Sequence, residues 1–299
     1  MVTSAVSTQA QSGISDYWQL LKPGVMLLVV FTGAVGLAVA PTHLQPLQSL
    51  VVILAIAMGS GAGAAFNMWY DADIDAIMQR TKKRPIPSGR IEANDALMLA
   101  IVLGVVSVAL LGLASNWAAS GLLAFAIWFY ACFYTMMLKR HTAQNIVIGG
   151  AAGAFPPIIG WLAASPQLAF EPICYFAIVF LWTPPHFWAL ALYRHEDYRA
   201  VNVPMLPVVA GEKSTLRHIT AYSVLLSVAV MLPYFMNYRG AIYGVACGIL
   251  STYFLYKAIR LQQKPTPQKA IKLFLFSILY LFAVFGAILI DELFFIGAF

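Results

Sequence analysis

Long hydrophobic runs separated by short polar segments dominate the chain from residue 25 onward. Each run approaches the roughly 20 apolar residues that an α-helix needs to cross the hydrocarbon core of a bilayer. No alternating strand pattern competes with them, and a helix satisfies all of its own backbone groups inside lipid. We therefore predict nine transmembrane helices, over residues 25–41, 49–70, 95–114, 118–137, 144–164, 171–190, 216–236, 240–257 and 271–290.

The composition supports this assignment. The 299 residues are 61% hydrophobic and only 10% charged, with a mean hydropathy of +0.79, whereas soluble domains carry roughly 25% charged residues. We expect an all-α polytopic membrane protein with a polar N-terminal segment at 1–24, which lacks a signal-peptide pattern, and one transmembrane domain at 25–299. The three cysteines lie in separate apolar segments without CxxC spacing, which indicates buried thiols.

The connections between the predicted helices alternate in charge. One set is short and nearly uncharged, whereas the other set is longer and basic. Together with the N-terminal segment, the basic set contains every lysine and arginine except Arg239. Because cationic loops stay in the cytoplasm, we expect a cytoplasmic N terminus and a C terminus on the opposite side of an inner (cell) membrane. The net charge of +6 is then mainly a topology signal, and it does not imply nucleic acid binding.

Acidic residues gather just after the second apolar run, in the stretch NMWYDADID. Asn67, Asp71 and Asp75 are spaced four residues apart, so on a helix they share one face over about two turns, whereas Asp73 lies about 200° away from Asp71. Such an oxygen-rich face suits Mg²⁺, which proteins hold with one or two carboxylates, waters and substrate phosphates. The alternative is a polar helix end whose acids cap the helix or pair with Arg80.

A cationic segment, RTKKRP, follows the acids directly. We expect Arg80, Lys83 and Arg84 to lie closest to the acidic face, and we interpret Lys82 and Arg90 as topology signals. Acids that hold a metal and neighbouring cations are the two kinds of partner that a diphosphate requires. The segment therefore favours a diphosphate site at the cytoplasmic face.

A second cationic pair, Lys139 and Arg140, ends the fourth predicted helix. It lies at the same predicted membrane face as the acids. It either reaches the same anion or extends to lipid headgroups, as long basic side chains near helix ends do. The sequence leaves both interpretations open.

The sixth predicted helix ends in WTPPHFWAL and continues into YRHEDYR. Pro184 and Pro185 predict an interruption of the helix, which is tolerated where neighbours or a cavity satisfy the freed carbonyls. His186 follows directly and is the one histidine clearly inside a predicted helix. The sequence leaves three roles open for it: a hydrogen bond to a neighbouring helix, ligation of iron, or contact with a flat aromatic substrate.

Taken together, these motifs resemble the UbiA superfamily of intramembrane prenyltransferases. The resemblance rests on NxxxDxxxD from Asn67 to Asp75, on YTxxLKRxT from Tyr134 to Thr142, and on the nine-helix layout, and it covers nearly the whole chain. It implies an all-helical bundle around a cavity that opens at the cytoplasmic face. The segment from Trp182 to Gly211 is similar to the branch of this family that prenylates haem.

The resemblance also implies substrates, a cofactor and partners. The reaction would transfer a farnesyl group from farnesyl diphosphate to a vinyl group of haem B, with addition of water, giving haem O and diphosphate. Mg²⁺ would be the cofactor. Besides the bilayer and the two substrates, a haem A synthase or a terminal oxidase would be a partner.

The site residues implied by the resemblance fall into overlapping groups. The catalytic group is Asn67, Asp71, Asp75 and Arg80, and the metal ligands are Asn67, Asp71, Asp75, Glu196 and Asp197. Diphosphate would meet Lys22, Arg80, Lys83, Arg84, Lys139 and Arg140. The haem-binding candidates are His186, Trp188, Arg194, His195, Tyr198 and Arg199.

One motif departs from the family pattern. The second metal-binding motif of the family is usually DxxxD, but Val201 stands four residues after Asp197 in this chain. Glu196 or Asp197 is left as the second metal contact, which puts a second Mg²⁺ in doubt. The loop could instead contact haem propionates through Arg194 and Arg199.

Three other functions fit parts of the sequence. A UbiA-type enzyme that prenylates an aromatic quinone precursor would use the same first motif, but His186 with its paired prolines argues against it. A cation-coupled transporter would also carry acids and broken helices, yet these acids lie at one face and no inverted repeat is visible. A haem electron carrier would show paired axial histidines on facing helices.

Overall fold

The computed structural model describes residues 13–167 and 169–295, and all regular structure in these ranges is helical. Eight helices are long and apolar enough to cross a membrane, and α1 with α2 forms a ninth candidate bent by 56°. The all-α polytopic prediction is therefore confirmed. The helices are α1 (Ile14–Leu20), α2 (Pro23–Ala38), α3 (Pro46–Tyr70), α4 (Ala72–Ile77), α5 (Ala93–Ala114), α6 (Trp117–Trp128), which continues as a π-helix (Phe129–Leu138), α7 (Asn145–Ala164), α8 (Phe170–Tyr193), α9 (His195–Ala200), α10 (Leu206–Val209), α11 (Gly211–Phe235), α12 (Ala241–Gln263) and α13 (Pro267–Phe295).

The predicted boundaries agree with these helices to within a few residues at most ends. The largest difference is at the end of α12, because a helix can continue past the apolar run once its side chains reach water. Helix α1 was not predicted, since seven residues are too few to show a helical period. The division at residue 24 stays a prediction, and residues 1–12 lie outside the described ranges.

Helices α7 and α8 lie at the centre of the bundle. Helix α7 packs against α2 and α6, and α8 packs against α11 and α13. The two largest hydrophobic clusters lie around α8 and α11 to α13, and between α3, α5, α6 and α7. At the α2–α7 contact, a Cβ on Gly160 would lie 2.0 Å from the Gly33 carbonyl oxygen, so glycine is required for this approach.

The predicted interruption at Pro184 and Pro185 is wrong, because α8 is helical from Phe170 to Tyr193. Hydrogen bonds just before the prolines hold this part of the helix. The Thr183 hydroxyl donates to the Val179 carbonyl at 2.9 Å, and the Trp182 indole donates to the Ser277 carbonyl of α13 at 2.7 Å. Neighbouring groups therefore stabilise the proline-containing turn within a continuous helix.

An ion-pair cluster closes the end of the bundle opposite the basic loops. Arg239 is buried and donates to the Tyr175 hydroxyl at 2.9 Å, and its guanidinium also pairs with Glu171 and Glu292. Next to it, Asp291 accepts hydrogen bonds from the backbone at the start of α12. The cluster ties α8, α12 and α13 together through the one cation that the sequence assigned to this side.

Two open grooves lie on the outer surfaces of α11 and α12, among exposed side chains such as Val228 and Tyr253. Neither groove contains a candidate site residue. The central cavity and its cytoplasmic opening stay predictions.

Candidate active site

The acidic face lies at the junction between α3 and α4. Asp71 separates the two helices, but the Asp71 amide donates to the Asn67 carbonyl at 3.0 Å, and the Asp75 amide donates to the Asp71 carbonyl at 2.8 Å. These bonds keep the helical spacing across the break, so Asn67, Asp71 and Asp75 share one buried face while Asp73 is exposed. The single helix that we expected to contain all three residues is therefore interrupted only at Asp71.

The Asn67 side chain links the acids to α2 and to the π-helix. Its Nδ2 donates to Asp71 Oδ2 at 2.7 Å and to the Thr135 hydroxyl at 3.3 Å. Its Oδ1 accepts a 2.5 Å bond from Lys22 Nζ. The amide orientation is therefore fixed by partners on both sides, and its oxygen already lies beside a cation.

Two cations from the end of the π-helix reach the acidic face. Lys139 forms an ion pair with Asp71 Oδ2. Arg140 contacts Asp71 Oδ1 at 3.3 Å and binds both oxygens of Asp73, at 2.8 and 2.7 Å. These hydrogen bonds from Arg140 lower the pKa of Asp73. The second cationic pair thus contacts the acids directly in addition to any lipid contact.

Only one cation of the RTKKRP segment contacts the acids. Arg84 Nη1 lies 2.5 Å from Asp75 Oδ2. Arg80 and Lys83, which we expected closest to the acidic face together with Arg84, are both exposed and form no ion pair with the acids in the described ranges. The chain folds back after α4. The Thr81 hydroxyl donates a hydrogen bond to the Asp75 carbonyl at 3.0 Å, and the Arg84 amide donates to the Thr81 carbonyl at 2.8 Å.

The ten-residue π-helix and the lysine that follows it lie beside the acidic face. Thr135 contacts Asn67, and Lys139 follows the last π-helical residue. The rings of Tyr130 and Tyr134 stack on this segment at a centroid distance of 5.5 Å. Wide π turns are frequent at functional sites, but nothing in the sequence distinguishes this segment from an ordinary α-helix.

The second predicted metal motif lies in the first turn of α9. Glu196 is exposed and pairs with His195 at 3.6 Å, and Asp197 Oδ1 accepts a bond from the Gln79 amide at 3.3 Å. Within 13–167 and 169–295, no group of three or more histidine, cysteine, aspartate or glutamate side chains could hold a metal. The donors that fit Mg²⁺ are the oxygens of Asn67, Asp71 and Asp75, with waters and phosphates completing the set.

His186 lies in α8, with its ring stacked between Trp182 and Phe274 at centroid distances of 4.2 and 4.5 Å. Its Nδ1 lies 2.6 Å from Ser277 Oγ, and that hydroxyl donates its own proton to the Phe274 carbonyl at 2.6 Å. With the Ser277 proton directed to that carbonyl, Nδ1 carries its own proton and donates to Ser277 Oγ. Nε2 is left with a free lone pair.

The other haem candidates lie on two sides of the α8 end. Trp188 is buried and faces α11, where it meets His218 and Tyr222 edge-on. Arg194 and Arg199 are exposed at the basic face, where Arg194 lies over the Tyr193 ring at 4.9 Å.

Tyr198 connects this region to the acidic segment. It is buried, and burial raises its pKa, while the positive charge of Arg80 opposes the shift. It belongs to one hydrophobic cluster with Ile74 and Ala191, against which Phe187 packs. Since the His186 ring meets Phe187 edge-on at 5.0 Å, the acidic segment and the histidine lie on adjoining elements.

One further pair of site-bordering residues was missed in the sequence. Arg90, interpreted only as a topology signal, lies 2.5 Å from Asp16 of α1. The two residues are 74 positions apart, and no local pattern connects them.

Comparison with known proteins agrees with this arrangement. The UbiA prenyltransferase family model matches residues 29–284. A protoheme IX farnesyltransferase from Rhizobium leguminosarum bv. trifolii (strain WSM2304) is 54% identical over 288 residues, which cover 95% of this chain and 91% of the relative.

Solved structures share the fold. A structure described for digeranylgeranylglyceryl phosphate synthase has a TM-score of 0.77 at 21% identity, covering 93% of this chain and 98% of its own. A UbiA homologue from Archaeoglobus fulgidus, bound to DMAPP and Mg²⁺, has a TM-score of 0.67 at 17% identity, covering 91% and 99%. The resemblance found in the motifs is confirmed, and the chain belongs to the UbiA prenyltransferase family.

Proposed function

We propose that this multi-pass membrane protein transfers a farnesyl group from farnesyl diphosphate to a vinyl group of haem B, with Mg²⁺ as cofactor. The observation that carries the choice of reaction is the 54% identity, over 95% of the chain, to a protein named protoheme IX farnesyltransferase. The acidic face and the cations around it support a site for a metal-bound diphosphate.

On the donor side, Asn67, Asp71 and Asp75 would hold the Mg²⁺. When bound, the ion would neutralise charge that develops on the departing diphosphate. Lys22, Arg84, Lys139 and Arg140 each contact one of the acidic-face residues, so all four are within reach of phosphate oxygens bound there. We assign one metal to this face. Glu196 is exposed and pairs with His195, whereas Asp197, whose Oδ1 accepts the Gln79 amide, stays the candidate for a second contact.

The exposed cations Arg80 and Lys83 have a different role in this proposal. They lie on the loop beside Arg84 but make no contact with the acids in the described ranges. Their charge would attract the diphosphate to the site, as surface charge of one sign does for an oppositely charged substrate.

In the reaction, the bond between C1 of the farnesyl chain and the diphosphate oxygen breaks, and its electron pair leaves with the diphosphate. The terminal vinyl carbon of haem B forms the new bond to C1. Water adds to the resulting cation and loses a proton, which gives the hydroxyethylfarnesyl group of haem O. Preorganised cations aimed at the leaving group are the main electrostatic contribution of the protein. The buried rings of the bundle would keep other water away.

On the acceptor side, we assign His186 to the haem iron and the exposed cations Arg194 and Arg199 to the propionates. A histidine that binds metal usually donates its other ring N–H to a neighbouring group, and the bond from His186 Nδ1 to Ser277 has this form. His195 is less suited, because it already pairs with Glu196. Tyr198 and Trp188 would enclose the ring from the α9 and α11 sides.

The location and the product's destination belong to the same proposal. The basic loops support a cytoplasmic N terminus and mouth in an inner membrane, with the C terminus opposite. Haem O released there would pass to a haem A synthase or to a terminal oxidase.

The test is a turnover assay with the purified protein in detergent. Farnesyl diphosphate, Mg²⁺ and haem B are supplied, and haem O is sought by mass spectrometry, with hydroxybenzoate as a parallel acceptor. Haem O that disappears on chelation is the expected result. Prenylated hydroxybenzoate without haem O would overturn the acceptor assignment and favour a quinone-precursor enzyme.

A further inference from the structure

Helix α1 lies across the same end of the bundle as the acidic face. Its inner side buries Leu20 against Ala65, Met68 and Ile91. Its outer side exposes Ile14 and Trp18, which are one turn apart and suit the interface of a bilayer. A seven-residue helix is not stable alone in water, so α1 depends on these contacts for its position.

Two polar side chains of α1, those of Asp16 and Gln19, converge on Arg90, in the loop that also contains Arg84. Arg90 Nη1 lies 2.5 Å from Asp16 Oδ1, and Asp16 is buried. Arg90 Nη2 donates to Gln19 Oε1 at 3.5 Å and to the Lys83 carbonyl at 2.7 Å, and Nε donates to the Ser88 hydroxyl at 2.9 Å. One guanidinium therefore joins α1 to the loop.

Lys22 lies two residues after the end of α1 and is the N-cap of α2. Its backbone has a φ of 50°, a left-handed conformation that is uncommon for a residue other than glycine. Its amide donates to the Gln19 carbonyl of α1 at 3.2 Å, and its side chain reaches Asn67. The direction of the Lys22 side chain therefore depends on where α1 is held.

We propose that the Asp16–Arg90 ion pair is a positioning contact for the reaction: it fixes α1 so that Lys22 reaches the diphosphate bound at Asn67, Asp71 and Asp75. This inference rests on the proposed function, in which Lys22 is a diphosphate contact. Asp16 and Arg90 touch neither substrate, and their effect on binding passes through Lys22.

The test measures binding of farnesyl S-thiolodiphosphate, a slowly reacting analogue, to the purified protein with Mg²⁺. Asp16→Asn is compared with Lys22→Ala and with the double variant. Asp95→Asn is the matched control, because Asp95 is exposed in the first turn of α5 at the same face. Thermal unfolding is recorded for each variant. If Asp16→Asn fails to fold, the double variant Asp16→Arg with Arg90→Asp, which reverses the ion pair, tests its role.

Asp16→Asn is expected to weaken binding about tenfold, the size of effect that loss of one charge-assisted bond produces. It should add nothing in the Lys22→Ala background, because both changes remove the same contact. The reversed pair should recover part of the affinity. Asp16→Asn should also raise KM more than it lowers kcat.

Two results would overturn the inference alone: wild-type affinity in Asp16→Asn, or losses that multiply in the double variant. If the wild-type protein shows no Mg²⁺-dependent binding of the analogue, the proposed function fails, and this inference fails with it. If Lys22→Ala binds the analogue with wild-type affinity, Lys22 is not a diphosphate contact and the positioning role is overturned. The assignment of the acidic face to the metal is not affected by that result.

Discussion

Lys139 and Asp71 form an ion pair across the junction of the π-helix with α3 and α4. The proposed function gives these two side chains to different ligands, Asp71 to the metal and Lys139 to the diphosphate. The contacts of Arg84 with Asp75 and of Lys22 with Asn67 follow the same rule. Binding therefore requires an exchange of partners, in which the acids turn to the metal and the cations to the phosphates.

This pairing has a physical reason. Removing one partner of a buried ion pair leaves an uncompensated charge, which costs about 3–5 kcal/mol. Asp71 is fully buried and meets both Lys139 and Arg140. Mg²⁺ and diphosphate together supply the charges that replace these partners, whereas either one alone leaves part of the site unpaired.

Asp71→Asn is expected to lower turnover by about 100-fold or more, the loss that accompanies removal of one group that stabilises transition-state charge. The amide keeps the size of the side chain but removes the negative charge that Mg²⁺ needs. Initial rates of haem O formation measure the effect, and size-exclusion profiles in detergent confirm folding.

The control for that variant is Asp73→Asn. Asp73 lies in the same segment but is exposed and pairs only with Arg140. Its replacement should lower the rate by less than about tenfold, in line with the small energies of exposed ion pairs. Equal losses at both positions would contradict the assignment of the metal to the buried face.

Lys139→Gln is expected to raise the KM for farnesyl diphosphate about tenfold or more, because it removes a charge-assisted contact to a phosphate oxygen. Steady-state kinetics at saturating haem B measure the change. Lys82→Gln is the matched control, since Lys82 is exposed in the basic loop. Similar KM values for the two variants would remove Lys139 from the diphosphate site.

His186→Ala is expected to weaken haem binding while leaving binding of farnesyl diphosphate unchanged. Ser277→Ala removes the acceptor of the Nδ1 proton, and loss of such an outer partner typically costs 10- to 100-fold in metal affinity. Titration of haem B followed at the Soret band measures both variants. His43→Ala serves as control, because His43 is exposed in the loop between α2 and α3. An unchanged titration with His186→Ala would end the iron assignment.

Arg239→Ala is expected to destabilise the fold by about 3–5 kcal/mol, since it leaves Glu171 and Glu292 without their buried partner. Unfolding by denaturant in micelles measures the loss. The folded fraction should keep its affinity for farnesyl diphosphate, because the cluster lies at the other end of the bundle. The exposed Arg217 supplies the control, Arg217→Ala, and equal stability of the two variants would contradict the prediction.

Much of the fold was predictable because a membrane helix is specified locally, by a run of apolar residues. The acidic face was predictable for the same reason, since Asn67, Asp71 and Asp75 recur at helical spacing within about two turns. The proline prediction failed because its outcome depends on neighbours: Trp182 is held by a carbonyl of α13, almost a hundred residues away in the chain.

The pairing of charges was the least predictable part of the site. Sequence proximity favoured Arg80 and Lys83 as neighbours of the acids, but the fold-back after α4 brings only Arg84 inward. The ion pair of Arg90 with Asp16 joins two segments that α2, α3 and α4 separate along the chain. Contacts of this kind depend on how helices pack, and a single sequence does not contain that information in a readable form.

The central claim is that metal and diphosphate bind together at the face formed by Asn67, Asp71 and Asp75. Calorimetric titration of inorganic pyrophosphate into the purified protein, with Mg²⁺ and then with chelator, tests it most directly. The account predicts binding at least about tenfold tighter with Mg²⁺, and no such gain in Asp71→Asn. Equal affinities under the two conditions, or an undiminished gain in Asp71→Asn, would contradict it.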